Sequence, residues 1–127
     1  MQDKPTSIEL LEALAAFLRE EVAPRLDGGL RFKALVGANV AGIVAREIAL
    51  GHGQDRAQLG RLAALLGHDV AEVADEDVAA SVRAWSQELC RRIDAGEADA
   101  GRWREQLLAH LSACVSEKLA VDNPKMK

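Results

Sequence analysis

Asn39 and Arg46 are the polar side chains whose spacing most needs explaining. Seven residues apart, they fall within about 20° of each other around a helix axis. Phe32, Leu35, Ile43 and Leu50 share that face. A primary amide two turns from a guanidinium, among apolar neighbours, has to find hydrogen-bond partners or it destabilises the fold. The pair can line a pocket for an anionic or amide group, with Arg46 supplying a fork of donors. The simpler role is structural, with Asn39 fixing helix register and Arg46 paired to a carboxylate on another helix. Glu47 follows Arg46 directly, and adjacent helical residues do not face each other, so both are expected to find partners on other helices.

The remaining reactive side chains are sparse. Cys90 and Cys114 are the only thiols, and both fall inside helical patterns away from an N-terminus that would favour a thiolate. His110 lies one turn before Cys114, so the two can hydrogen-bond, but no third group that would orient them is evident. Packing is the simpler role for both cysteines. His52, His68 and His110 have no zinc-like spacing with each other or with the thiols, and no metal is expected. The acidic group Glu72, Asp75, Glu76 and Asp77 lacks the central glycine of a calcium loop and reads as a solvated loop and helix start. Arg102, Trp103 and Arg104 are a candidate docking patch, since Trp and Arg are enriched at binding hot spots. A core Trp between two surface arginines explains them as well. Gly37 and Gly42 sit inside a helix with no strand before them, which excludes a dinucleotide fingerprint; no cofactor is expected.

These side chains must be positioned by helices. The twelve residues from Ala34 to Ala45 carry no charge and only one polar group, Asn39. A helix apolar all round belongs in the middle of a bundle. The run is too short to span a bilayer and is closed by Arg31 and Lys33 on one side, Arg46 and Glu47 on the other. Around it, Thr6 with Glu9 forms a capping box that starts a first helix, which Pro24 ends near Val22. The second helix is expected over about 30–50, with Gly51 as its C-terminal left-handed residue. Small residues fill one of its sides, so neighbouring backbones can approach closely. A short third helix is expected over about 55–66. A fourth starts in Asp75-Glu76-Asp77 and is capped by Gly96, and a fifth runs over about 101–120. Short connections make neighbours antiparallel, and the expected fold is an all-α bundle of about five mostly antiparallel helices in a single domain over 1–127.

Composition agrees with this picture. The 127 residues are 49% hydrophobic but only 3% aromatic, so the core must be built from Leu, Val, Ile and Ala. A chain of this length buries roughly two-thirds of its unfolded surface and needs no disulfide or metal. A net charge of −4 and the lack of a long basic stretch argue against nucleic acid. Unpaired cysteines and the absence of a secretory apolar region near Met1 point to the cytoplasm.

Three segments together resemble a bacterial family of short helical proteins without an assigned activity. They are Met1-Gln2-Asp3-Lys4-Pro5-Thr6 leading into Glu9-Leu10-Leu11-Glu12-Ala13, Leu30-Arg31-Phe32 through Asn39 to Arg46-Glu47, and Lys118-Leu119-Ala120-Val121-Asp122-Asn123-Pro124. Members of that family occur beside, or attached to, aminoglycoside-phosphotransferase-like kinases, near acyl-CoA dehydrogenases. The resemblance implies a companion to a small-molecule kinase. It places Arg31, Asn39, Arg46, Glu47, Asp122 and Asn123 at the polar points of the family pattern, as a shared structural network or interface. The kinase's own nucleotide-binding and catalytic motifs are missing, so the chain is not expected to be a kinase. The expected function is therefore a non-catalytic accessory or interaction domain, docking on a phosphotransferase-like kinase or on a second copy of itself. The alternative is a helical bundle that binds an anionic acyl or phosphorylated metabolite through Asn39 and Arg46. An enzyme using His110 with Cys114 or a carboxylate is the third reading.

Overall fold

The computed structural model describes residues 3–126, so Met1 and Gln2 of the N-terminal motif, and Lys127, lie outside it. Helix α1 covers Ser7–Phe17. Thr6 caps it: its Oγ accepts from the Glu9 backbone N–H at 3.2 Å, and the same hydroxyl donates to the Glu9 carboxylate. Beyond Phe17 the chain stays helical through a wide turn over Leu18–Val22 and a tight one over Ala23–Arg25. Pro24 sits in the first positions of that tight turn, where its missing N–H costs nothing, so it does not stop the chain at Val22.

Helix α2 is a single run of 39 residues, Gly28–Leu66. The expected break after Leu50 does not occur: Gly51, His52 and Gly53 are helical, and neither glycine has a positive φ. Two donors on α2 bond backbone carbonyls of α4 (Arg102–Asp122) on either side of that point. Arg46 Nε donates to Val121 O and Gln54 Nε2 donates to Glu117 O. Such anchoring offsets the helix propensity that two glycines forfeit, about 1 kcal/mol each. Among the described residues, four α-helices therefore stand where five were expected. The left-handed glycine that closes α2 is Gly67, at φ +77°, with the Gly67 and His68 amides both donating to Ala63 O. Short helical turns at Val70–Glu72 and Asp75–Asp77 lead into α3 (Val78–Asp94), and Gly96 at φ +88° follows it. There is no strand among the described residues.

The chain divides into two compact units, residues 1–51 with 120–127, and residues 52–119. The second has a conventional leucine core. Leu59, Leu62 and Leu65 of α2 pack with Val78, Val82 and Leu89 of α3 and Leu107 of α4, and both tryptophans lie against them. The first is built differently. Its core is Ala15, Ala38 and Ala41, with Leu11 and Leu18 alongside. A β-carbon placed on Gly37 would meet Leu18 Cδ1 at 3.5 Å, so the turn that follows α1 lies close against α2. The uncharged run 34–45 is not enclosed on all sides, as a bundle hub would be. Ala38, Ala41 and Ala45 are buried, while Val36, Val40 and Val44 face outward. Small residues take the inside because only they permit that approach, and the larger ones are left on the other side.

Candidate functional site

In the first unit, four of the six predicted polar residues converge. Asn39 and Arg46 of α2 line one open pocket with Asp122 at the end of α4 and Asn123 just after it. Its volume is about 660 Å³, and Ile43 and Pro124 supply the apolar part of the lining. Arg31 and Glu47 are exposed and are not among the lining residues.

The partners differ from a carboxylate pair. Arg46 is half-buried, and its Nε donates to Val121 O at 2.7 Å. That carbonyl belongs to the last turn of α4, where backbone acceptors have no intrahelical donor and the dipole favours a cation. A β-carbon on Gly42 would approach an Arg46 terminal nitrogen to 3.3 Å, so the glycine leaves room for the guanidinium. Asn39 accepts through Oδ1 from the Arg19 guanidinium at 3.1 Å, tying α2 to the turn that follows α1. Arg19 and Lys125 complete the lining. Neither was among the predicted site residues, because Arg19 reads as part of a solvated face and Lys125 as tail. Three cationic side chains from separate segments thus border one pocket, with the Asp122 carboxylate among them. The arrangement can hold a small anion or an amide.

The second unit brings a cysteine and a histidine into contact. His110 is buried, and its Nε2 lies 3.6 Å from Cys114 Sγ. Arg61 of α2 is the third group that the sequence did not reveal. Its Nε donates to His110 Nδ1 at 3.3 Å, and a terminal nitrogen lies 3.8 Å from Cys114 Sγ. Glu117 pairs with the same guanidinium at 2.5 Å. Because Nδ1 accepts from Arg61, the neutral imidazole carries its proton on Nε2 and points it at the sulfur. Such a histidine cannot take the thiol's proton, so the cluster is not a base-activated nucleophile. Burial lowers the His110 pKa from its usual 6.5, and the Arg61 charge lowers it further, while Glu117 pulls the other way.

The candidate docking patch and His68 lie in the second unit. Trp103 is half-buried against the leucine core, and its indole N–H donates to Leu65 O at 2.9 Å. Arg92 stacks over its ring at 4.8 Å. Arg102 and Arg104 are exposed, and Arg104 donates to Asp99 O. His68 pairs with Glu88 at 2.6 Å and stacks on Trp85. No group of three metal-ligating side chains occurs among the described residues.

Fold and site together define an all-α protein with a cation-bordered pocket. Residues 24–126 match the model of a family described as a domain of unknown function, DUF6285, and the chain belongs to that family. No curated protein and no solved structure matches it.

Proposed function

We propose that this chain is a non-catalytic interaction module of the cytoplasm, the companion of a phosphotransferase-like small-molecule kinase. The observation that carries the reading is the amount of large apolar side chain left outside. Scattered exposed leucines are ordinary, but contiguous apolar faces mark surfaces that another molecule covers. On α4, Leu108, Leu111 and Val115 follow helical spacing and are all exposed, with Arg104 and Lys118 at the ends of that face. A kinase surface with an apolar groove and acidic margins fits such a ridge. The kinase as partner comes from the family resemblance.

Affinity capture of the tagged protein from its own cells is expected to recover a phosphotransferase-like kinase in near-equal amount. Leu111→Glu, at a position 43% exposed, is expected to lose at least nine-tenths of that kinase while the fold is kept. Capture of the chain without any kinase contradicts the reading.

A second reading rests on the pocket bordered by Arg19, Arg46 and Lys125. It is a site for an anionic acyl or phosphorylated metabolite, with Arg46 as the main anion contact. A rise in melting temperature with coenzyme A esters or sugar phosphates, abolished by Arg46→Ala, supports it. The absence of any shift across such a panel removes it.

A further inference from the structure

The first unit leaves one broad apolar face uncovered, made by α1 and α2 together. Leu10, Leu14 and Phe17 of α1 share one side of that helix, and all three are exposed. Leu10 also lines a small pocket with Ile48 of α2, so the exposed faces of the two helices are continuous. On α2 the exposed side chains run from Leu30 and Phe32 through Val36, Val40 and Val44 to Ile48 and Leu50. Phe32 is 68% exposed and Val40 53%. Ten large apolar side chains, each with around half its surface outside, present on the order of 800 Å². That matches what a standard interface takes from each partner, and it exceeds the largest patch of an ordinary monomer, about 300–600 Å².

The order of residues along α2 identifies the occupant. Counting outward from Val40, Val36 mirrors Val44 and Phe32 mirrors Ile48. Leu30 mirrors Leu50 in the same way, and Lys33 mirrors Glu47. A face that repeats itself in reverse is self-complementary under a two-fold axis. Antiparallel contact of two α2 helices with the axis at Val40 stacks valine on valine at the centre. The same register brings each Lys33 ammonium to the other copy's Glu47 carboxylate, twice per pair. Both charges are exposed and neither has a side-chain partner among the hydrogen bonds and ion pairs of the described residues. By length and composition α2 also qualifies as a membrane span. Charges of opposite sign at mirrored positions suit a second copy and are costly in hydrocarbon.

We propose that the chain forms a two-fold homodimer through the α1–α2 face, with α2 antiparallel to its copy and centred on Val40. The dimer rests on the reading of this chain as an interaction module and names the partner of one of its faces, leaving the α4 ridge for the kinase.

Sedimentation equilibrium of the full chain, with circular dichroism to verify folding, tests the pairing. The wild type is expected to dimerise at micromolar concentration or below. Val40→Glu places two unpaired carboxylates at the axis and is expected to raise the dissociation constant at least a hundredfold, with helix content unchanged. Lys33→Glu alone and Glu47→Lys alone set like charges against each other and are expected to weaken the dimer about tenfold or more. The double reversal is expected to return it to within threefold of wild type. A monomeric wild type overturns the proposal, and binding of that monomer to anionic liposomes assigns the face to a membrane instead. A dimer indifferent to Val40→Glu, or a double reversal that fails to restore pairing, overturns the register. Kinase capture by the Val40→Glu variant separates the two claims: capture without dimerisation leaves the interaction module standing and removes only the dimer.

Discussion

Arg46 is half-buried without a carboxylate because a carbonyl at the end of α4 takes its place. Its partner, Val121 O, has no donor within the helix, so truncation strands an acceptor at a half-buried position. Arg46→Ala is expected to cost about 1–3 kcal/mol in urea unfolding. A loss below a few tenths of a kcal/mol contradicts the assigned bond. His110 makes a second prediction at this scale. Its folded pKa lies below the usual 6.5 through burial first and the Arg61 charge second, against Glu117. The unfolded chain therefore takes up a proton at higher pH than the folded one. The stability contributed by this group is complete above about 6.5 and is lost as pH falls through that value towards the folded pKa. Unfolding free energy is expected to decline between pH 7 and 5.5, and less steeply in His110→Gln. Equal slopes in the two proteins assign the decline to other groups.

At the scale of elements, α2 separates what spacing reveals from what it does not. The Asn39–Arg46 face and the start and chemistry of α1 were legible because they depend on residues within a few turns. Arg19 as the partner of Asn39 was not, since nothing local states which side of α1 meets α2. The same limit hid the inversion of the uncharged run: apolar composition marks it as unusual, but which side is buried depends on the neighbouring helix. The continuity of α2 through Gly51 and Gly53 was misread because glycine favours a helix end, and bonds to α4 on either side outweigh that preference. The two readings of these glycines predict opposite signs. Beyond the helix's own neighbouring backbone, neither has an atom within 4 Å of an added β-carbon, and both are helical without a positive φ. Gly51→Ala with Gly53→Ala is therefore expected to stabilise the protein by about 1–2 kcal/mol, read by denaturant unfolding. A left-handed Gly51 at a helix end would instead make its replacement destabilising.

Across the whole molecule, the two units bury different amounts of apolar surface. The second has leucines and valines in its centre and both tryptophans against it, and Leu62, fully buried, is expected to cost about 2–5 kcal/mol when cut to Ala. The first buries mainly alanines, each with little side-chain surface to remove from water, and leaves its larger side chains outside. Such a unit gains stability when another molecule covers it, which links its composition to the proposed interaction role. All-α class and lack of strands were legible from periodicity alone; two units with contrasting cores were not, because both draw on the same pool of Leu, Val and Ala. Native mass spectrometry of the assembly isolated from its own cells tests the interaction-module account most directly. A complex in which two copies of this chain accompany a phosphotransferase-like kinase is expected. A lone monomer, stable and unaccompanied at cellular concentration, would contradict it.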